Sequence, residues 1–303
     1  GGRDLIVPVE VSAASGYIKA YQNIADINNK GVEIKLGLTP VKNDDFTWDI
    51  NLNWAKNTSE VVSLGDAESL ILGGQWNMTL EARKGQPYGV IVGSYFARDE
   101  NGNIIHADGL PQQAEGTKVL GNIQPKFTGG LGMDFRYKQI SAGFLIDGKI
   151  GGSICSMTNA WGRYSGVLAE TIIGREGGIV GDGVMNVGTS DSPNYAPNNV
   201  VVTAESYNKA AYGNDIVEGS VFDASFIKLR QIVVGYQLPD KWFNKNIFNG
   251  ASISLVGRNL AFLHRNAPHI DPETGFSSKI AEQGQEFGQL PSTRSIGFNL
   301  NFN

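Results

Sequence analysis

The sequence contains few of the residues that disulfides, metal sites and charged interfaces require. Cys155 is its single cysteine, it has three histidines, and only 18% of the 303 residues are charged. One cysteine cannot form an internal disulfide, and Cys155 lacks the neighbouring ligands of a zinc site. The formal net charge of −5 argues against nucleic acid or an anionic membrane surface as a partner. No apolar run approaches the ~20 residues of a membrane-spanning helix.

The first residues do not show a basic segment followed by an apolar stretch, so we expect no signal peptide there. Gly1-Gly2-Arg3 stands directly before a strand-like stretch, Leu5–Glu10, as is typical of the middle of a protein. We therefore expect the chain to be a fragment.

Motifs for catalysis or metal binding are also missing. His264 and His269 flank the start of a loop, but no nucleophile motif such as Gly-x-Ser-x-Gly accompanies them. Asp99–Asn103 has the composition of a calcium loop, yet its glycine comes too early and no bidentate glutamate closes it, so a hairpin turn at Asn101-Gly102 is favoured. Asp271–Gly275 likewise predicts a capped turn. We predict no catalytic residue, no metal site and no cofactor.

What the sequence does contain is a repeated two-residue alternation of apolar and polar residues. Val32–Leu38 and Phe46–Trp54 show it on both sides of a short connection and predict an amphipathic hairpin. Phe127–Tyr137 and Ile140–Ile146 predict a second hairpin that turns at Lys138-Gln139. One face of each hairpin is apolar and aromatic, and the other is polar.

The last stretch, 294–303, repeats the alternation with Ile296, Phe298, Leu300 and Phe302 on one face. Alternation alone fits a soluble sandwich strand as well as a membrane strand. Aromatic faces without polar residues, on strands of about ten residues, favour a wall that meets lipid, because a soluble protein would have to cover them with a second layer. Within 226–236 the alternation changes phase between Leu229 and Ile232, which predicts a β-bulge rather than a misplaced strand end.

Two long, weakly periodic stretches rich in Gly, Asn and Pro, 156–220 and 262–292, lie between the strands. Counting strands back from the last one places both at the same end of the sheet, opposite to the turn at Lys138-Gln139. Short turns at one end and long loops at the other are typical of outer-membrane barrels. Further strands are predicted near Leu5–Ser12, Tyr17–Ala25, Trp76–Arg83 and Tyr88–Arg98. We thus predict an all-β fold of about eleven antiparallel strands, an odd number that indicates an incomplete wall.

A series of short motifs resembles, in order and spacing, the SusC/RagA-type TonB-dependent outer-membrane transporters. Each motif is weak alone, but their order is specific, and only 156–221 has no match. The motifs are Asn23–Glu33, Phe46–Asn51, Pro125–Gly130, Phe226–Arg230, Val234–Pro239, Gly257–Leu260, Asp271–Glu273 and Pro291–Arg294.

This resemblance implies that 1–303 is the C-terminal portion of a large transmembrane β-barrel with long extracellular loops. A whole member of the family would have about twenty-two strands, and its plug domain and TonB box would lie outside this chain. The resemblance also implies the outer membrane of a Gram-negative, Bacteroidota-like cell as the location. The implied partners are outer-membrane lipid, a SusD-like surface lipoprotein, the TonB complex through the missing N-terminal part, and an oligosaccharide or peptide ligand. No enzymatic activity is implied.

Two groups of residues are candidates for the site. If the aromatic faces meet lipid, the polar faces point into the lumen, where they contact substrate, or pack against the plug and solvent. These lumen-facing candidates are Asp49, Asn51, Asn53, Asp134, Arg136 and Asp147. The long loop offers stacking and hydrogen-bonding groups of the kind that bind sugars or peptides, unless it folds on itself or on the lid protein. These substrate-binding candidates are Trp161, Arg163, Tyr164, Tyr195 and Tyr207.

Three functions remain open from the residues alone. The first is the barrel component of a TonB-dependent importer of oligosaccharides or peptides. The second is a soluble all-β carbohydrate-binding module, whose aromatic faces would be buried against a second sheet. The third is a secreted β-rich hydrolase, for which no set of convergent carboxylates or triad is recognisable. The ordered motifs favour the importer.

Overall fold

The computed structural model describes residues 2–10, 19–189, 191–213, 215–242, 250–275 and 283–302. Eight strands form one antiparallel sheet, which we call the wall, and each strand pairs with its neighbours in chain order. The wall strands are β1 (Gly2–Glu10), β2 (Lys19–Lys42), β3 (Phe46–Leu64), β4 (Phe127–Tyr137), β5 (Ile140–Ile150), β6 (Phe226–Gln237), β7 (Ala251–Arg265) and β8 (Ser295–Phe302). The all-β fold predicted from the alternation is confirmed.

The connections at the two ends of the wall differ in length. At one end, 43–45 joins β2 to β3, 138–139 joins β4 to β5, and 238–250 joins β6 to β7. At the opposite end the connections are long: 65–126, 151–225 and 266–294. Both loops predicted from the sequence lie at this second end, as expected, and the structure adds 65–126 as a third.

Both predicted hairpins are present in the wall. In the first, Leu36 of β2 lies opposite Leu52 of β3. In the second, β4 and β5 pair without a register shift from Phe127 to Tyr137, and Lys138 adopts a positive φ of 52° in the two-residue turn. Because side chains alternate across a strand, the register carries the alternating apolar positions of the two hairpins to one face of the sheet.

Among the residues described, no element covers that apolar face. Large side chains along β2, β3, β6, β7 and β8 are between 37% and 75% exposed. They are Val32, Ile34, Leu36, Leu38, Leu52, Ile232, Val234, Tyr236, Ile253, Leu255, Ile296, Phe298, Leu300 and Phe302. The last four belong to β8, where Phe298 lies opposite Leu255 and Leu300 opposite Ile253, so the register confirms the alternation predicted for the closing strand.

Within the described residues the wall has eight strands rather than about eleven. Of the predicted strand Tyr17–Ala25, the part from Lys19 onward belongs with Val32–Leu38 to one long strand, β2, whereas residues 11–18 lie outside the described part of the chain. Met78–Arg83 and Val90–Gly93 are strands, but they pair with each other in a separate four-stranded sheet that Ser69–Gln75 and Lys118–Asn122 complete. The odd number of strands predicted from the sequence is therefore wrong.

The physical reason for this difference is burial. Leu80 and Ile91, at the centre of those two segments, are fully buried. They form a small core with Cys155, Met157 and Val217 from the next long connection. Period-two patterns cannot distinguish a strand in such a core from a wall strand, since both contain apolar residues.

The long connections are folded, although the sequence showed few helix signals. Two helices, α1 (Met157–Tyr164) and α2 (Ala204–Tyr212), are capped by hydroxyl oxygens of Ser156 and Thr203, which accept hydrogen bonds from backbone N–H groups at 3.1 Å. The remaining elements are 3₁₀ turns Ala169–Ile172, Val217–Ser220 and Asp240–Trp242, and short strands Ile105–Ala107, Leu110–Pro111, Ser153–Ser156, Ile179–Val180, Val184–Asn186, Tyr195–Pro197, Val201–Val202, Val221–Asp223 and Gln285–Glu286.

None of these helices, within the residues described, is long and apolar enough to cross a membrane.

The predicted β-bulge lies in β6 at Arg230. On the β5 side, Leu145 pairs with Gln231 and Ile146 pairs with Leu229, so Arg230 has no partner of its own. The register to β7 shifts at the same position. The extra residue returns Ile232 to the apolar face, which explains the change of phase in the sequence.

Close approach of β5 and β6 requires the glycine at 148. A Cβ on Gly148 would lie 2.2 Å from the carbonyl oxygen of Phe226, whereas a Cβ on Gly37 in the same sheet would meet only the Asn51 side chain at 3.7 Å. We expect Gly148→Ala to lower the free energy of unfolding by roughly 1–3 kcal/mol through overpacking, and Gly37→Ala to change it by less than about 0.5 kcal/mol. Unfolding followed by circular dichroism in denaturant tests this, and equal effects of the two substitutions would contradict the register between β5 and β6.

Candidate functional site

The polar face of the wall brings together the six polar residues selected from the sequence. Asp134 of β4 lies opposite Asp49 of β3, and Gly130 lies between Asn53 on one side and Asp147 on the other. The register therefore places all six on the face opposite to the exposed apolar side chains. They are Asp49, Asn51, Asn53, Asp134, Arg136 and Asp147.

A groove of about 590 Å³ runs over the β2 to β5 part of this face. Asp49, Asp134 and Arg136 line it, and the Thr39 hydroxyl donates a hydrogen bond of 2.6 Å to the Asp49 carboxylate. Arg136 forms no ion pair with another described residue. Charged groups of both signs are thus open to a polar ligand, a protein segment or water in this groove.

Beside the groove, two cations of β6 hold three carboxylates, and we call these five residues the ion-pair cluster: Asp147, Lys228, Arg230, Asp271 and Glu273. The Lys228 ammonium lies 3.0 Å from an Asp271 oxygen and 2.8 Å from a Glu273 oxygen, and its side chain is only 2% exposed. It also donates a hydrogen bond of 2.7 Å to the Ser292 hydroxyl. The ammonium is therefore fully paired although it is buried.

Arg230 extends the cluster across three elements. Its Nε contacts both oxygens of Asp147, at 2.9 and 3.0 Å. Its two terminal nitrogens bind Glu273 in a bidentate arrangement at 2.9 and 2.7 Å, and one of them also donates to the Asn259 amide oxygen. Arg230 lies at the bulge, on the same polar face as Lys228, so both cations reach the same loop.

The anionic side of the cluster comes from the turn predicted at Asp271–Gly275. The turn is confirmed, because the Thr274 N–H donates to the Asp271 carbonyl oxygen at 3.0 Å. Its carboxylates, however, have a role that the sequence analysis missed: they attach the connection 266–294 to the wall. The available signal was that Lys228, Arg230 and the two acids all belong to the same ordered set of motifs.

The hydrogen bonds of the cluster favour the charged forms of both loop acids. Burial by itself would raise the pKa of Asp271, but hydrogen bonds from Ser292, the Glu273 N–H and Lys228 outweigh it, so the pKa lies below the usual range. Burial would also raise the pKa of Glu273, and the hydrogen bonds from Arg230 and Lys228 lower it overall.

At the end of the wall with the long connections, four aromatic rings from three different connections meet. The ring centroid of Trp161 lies 5.3 Å from that of Trp76 and 5.6 Å from that of Tyr164, both in edge-on geometry, and Phe287 lies 6.1 Å from Trp76. We call these four residues the aromatic cluster. Trp161 and Tyr164 were predicted as ligand contacts, whereas Trp76 and Phe287 were missed because they are far away in sequence.

Hydrogen bonds beside Phe287 hold the aromatic cluster in place. Glu286, next to Phe287, is buried, and its carboxylate accepts hydrogen bonds from Ser156 at 2.5 Å and Thr158 at 2.6 Å, at the start of α1. Trp76 is 55% exposed and has a positive φ of 50°, an unusual conformation for a bulky residue. An exposed indole on such a fixed support is suited to stacking against a ligand.

The other three loop residues predicted as ligand contacts do not join the aromatic cluster. Arg163 is engaged inside the loop region, where it pairs with Glu170 at 3.2 Å and stacks on the Tyr212 ring at 4.3 Å. Tyr207 stacks on the His106 ring at 6.3 Å, and burial raises the pKa of its hydroxyl. Tyr195 is exposed on a short strand of a different small sheet.

Two further positions considered from the sequence are the turn at Asp99–Asn103 and the thiol of Cys155. The Asp99 carboxylate accepts hydrogen bonds from the Asn101 and Asn103 backbone N–H groups, which confirms the hairpin turn predicted there. Burial, followed by the charge of Glu286, raises the pKa of the Cys155 thiol to about 12, so it stays protonated at neutral pH. Among the residues whose placement is described, no group of three potential metal ligands is found.

Known proteins were compared with the chain at the level of families, sequences and structures. No family model matches it. TonB-dependent receptor P3 of Formosa agariphila is 25% identical over 329 residues, covering 98% of this chain and 31% of the relative. TonB-dependent receptor SusC of Bacteroides thetaiotaomicron is 23% identical over 259 residues, covering 79% of this chain and 23% of the relative. The chain therefore spans about a third, or less, of the length of these curated relatives.

The structure is similar to that of the RagAB peptide transporter, with a TM-score of 0.68 and 19% sequence identity over 99% of this chain and 32% of the other. The same transporter in an open state, the RagAB peptide importer, gives a TM-score of 0.66 at 18% identity. At these identities the similarity shows the fold. Together with the named relatives, it confirms the resemblance drawn from the ordered motifs.

Loss of the Lys228 charge should release the loop that it holds. In Lys228→Met the buried Asp271 carboxylate loses its cation, and breaking a buried pair in this way costs about 3–5 kcal/mol. We expect the connection 266–294 to become sensitive to protease. The control is Lys138→Met, because Lys138 lies 4.0 Å from Asp45 in an exposed turn and such a pair is worth at most about 1 kcal/mol. Equal protease resistance of both variants would contradict the role of the cluster.

The ion-pair cluster should also make the loop sensitive to acid. The pKa values of Asp271 and Glu273 are depressed in the folded state, so their stabilisation is fully present above the unfolded-state pKa values of about 3.9 and 4.3 and is lost as the pH falls through the folded-state values. The protection factors of the amides in 266–275 and 283–294, which correct the exchange rates for their intrinsic pH dependence, should therefore be constant from about pH 7 to pH 5 and fall below about pH 4. Asp271→Asn should lower these protection factors already at neutral pH, and an unchanged profile in this variant would refute the assignment.

Proposed function

We propose, on the premise that this chain corresponds to the C-terminal part of a SusC/RagA-type TonB-dependent transporter, that it forms part of the barrel of an outer-membrane importer. The importer takes up oligosaccharides or peptides and works with a SusD-like surface lipoprotein. The TonB complex acts on it through a plug domain and TonB box that lie outside these residues. The role of this portion is to provide wall, loops and ligand contacts.

The observation that carries this proposal is the uncovered apolar face of the wall. Leu36, Val234 and Phe298 represent three separate strands on that face and are 44%, 48% and 75% exposed. Soluble monomers rarely expose contiguous apolar patches larger than a few hundred Å². A barrel wall needs such a face, because lipid covers it. The soluble carbohydrate-binding module would need a second layer here, and no described element covers the face.

The polar face then becomes the inner surface of the barrel. In this proposal the six residues from Asp49 to Asp147 line the lumen, and their charges of both signs support a water-filled or plug-filled interior. The three short connections lie on the periplasmic side, and the three long ones face the outside of the cell. The aromatic cluster is thus at the outer mouth, where it contacts ligand arriving from the lipoprotein.

A pair of arginine substitutions on opposite faces tests the membrane assignment. Leu36 points to the apolar face, and Leu36→Arg should cost about 2–4 kcal/mol if the site lies near the middle of the bilayer. Asn51 is the control, since it points to the polar face between Gly37 and Gly132, which leave room for an arginine. The measurement is the amount of full-length protein that is recovered from outer membranes as a heat-modifiable band.

We expect Leu36→Arg to reduce this band strongly and Asn51→Arg to preserve it. If the apolar face met water, an arginine at position 36 would be neutral. Equal recovery of both variants, or recovery of the full-length protein from the soluble fraction without detergent, would contradict the importer and favour the soluble binding module.

A further inference from the structure

A second cavity, separate from the groove on the wall, lies in the loop region between α1 and α2. Its volume is about 570 Å³. Three cationic side chains line it, Arg163, Arg175 and Lys209, against one carboxylate, Glu205. Neither the motifs nor the relatives assign any role to it.

The cations differ in how they are neutralised. Lys209 pairs with Glu205 at 2.6 Å, and Arg163 pairs with Glu170 at 3.2 Å. Arg175 has no carboxylate partner among the residues that the structure describes. Glu170, in the neighbouring 3₁₀ turn, is already shared between Arg163 and His269. One positive charge in the cavity is therefore left without a counter-charge.

Arg175 is nevertheless held in a fixed orientation. Its Nε donates to the Thr171 carbonyl oxygen at 3.0 Å, and one terminal nitrogen donates to the Thr171 hydroxyl at 3.0 Å and to the Gly166 carbonyl oxygen. All three acceptors are neutral. A guanidinium that is oriented by neutral oxygens keeps its full charge, and its remaining N–H groups can bind an anion. Because its side chain is already fixed, binding costs little further rotamer entropy.

The surroundings add polar and aromatic groups. Asn208 and the capping residue Thr203, at the start of α2, line the same cavity, so the positive end of the helix dipole adds to the cationic charge. Tyr164 also lines it, and the same ring belongs to the aromatic cluster. Cavity and aromatic cluster are thus adjacent, and one ligand can contact both.

We infer that this cavity binds the anionic group of an acidic oligosaccharide, a uronic acid carboxylate or a sulfate ester, whose neighbouring sugar ring stacks on the aromatic cluster. Arg175 is the specificity-determining residue, because its charge is the one that no protein carboxylate neutralises. This inference rests on the proposed importer function and narrows its ligand to acidic glycans. A sugar ring offers a flat apolar face beside its charged group, which matches an exposed aromatic cluster next to a cationic cavity.

Binding of defined tetrasaccharides to the full-length transporter, purified with its lipoprotein in detergent, tests the inference by calorimetry. The probes are tetragalacturonate for the carboxylate, a κ-carrageenan tetrasaccharide for the sulfate ester, cellotetraose as the neutral glycan, and tetraglutamate as an acidic peptide. We expect at least one acidic glycan to bind about tenfold or more tightly than cellotetraose, and its affinity to fall as salt is raised.

Arg175→Gln should lower the affinity for that acidic glycan by about tenfold or more and leave the affinity for cellotetraose unchanged. Arg175→Lys keeps the charge without the oriented fork and should restore only part of the affinity. Lys84→Gln removes an exposed cation outside the cavity and serves as the control with unchanged binding. The carboxylate and sulfate probes show which anion the cavity prefers.

Several results would overturn the inference: equal affinity for acidic and neutral glycans, no binding of any acidic glycan, binding of tetraglutamate alone, or an unchanged affinity in Arg175→Gln. Each of them leaves the importer proposal standing, because that proposal is tested by the position of the full-length protein in the outer membrane. Failure of the membrane test, in contrast, would remove the premise of both.

Discussion

The contact between the two cations of β6 and the three carboxylates around them is the interaction on which the arrangement of wall and loops depends. A sheet with one apolar and one polar face does not by itself determine where a long connection lies. Lys228 and Arg230 do, because they bind Asp271 and Glu273 at the point where 266–294 leaves the wall. Breaking a buried ion pair costs more free energy than forming it gains. The chief effect of the ion-pair cluster is therefore to fix one position of the connection 266–294.

Because of the bulge at Arg230, β6 supplies both cations of the ion-pair cluster and still keeps apolar residues on the apolar face of the wall. In a regular strand, Lys228, Arg230 and residue 232 would share the polar face. With the extra residue, both cations stay on the polar face while Ile232 and Val234 return to the apolar one. The bulge interrupts the hydrogen-bond ladder locally, and in return it places suitable side chains on both the polar and the apolar face of β6. Bulges are commonly used in this way in curved sheets.

The strands of the wall could be predicted because their signal is local. Val32–Leu38 and Phe127–Tyr137 carry a period of two that any reader of the sequence can recognise, and the phase change before Ile232 even located the bulge. The loop region could not be predicted in this way. Trp76, Trp161 and Phe287 come from three separate connections, and only long-range packing on a small buried core brings them together. Burial also explains why the predicted strand Trp76–Arg83 is not part of the wall, since a strand inside a loop core is as apolar as one facing lipid.

The two edge strands of the wall also need hydrogen-bond partners. β1 and β8 stand at the two ends of the strand order, and neither has a second neighbour within the described part of the chain. Unpaired N–H and C=O groups cost several kcal/mol each in hydrocarbon, whereas in water they would merely invite association with other strands. If the apolar face meets lipid, both edges must therefore pair with strands outside these residues. Since the chain spans about a third, or less, of the length of the relatives named above, the same proposal that explains the apolar face also supplies the strands that close the wall.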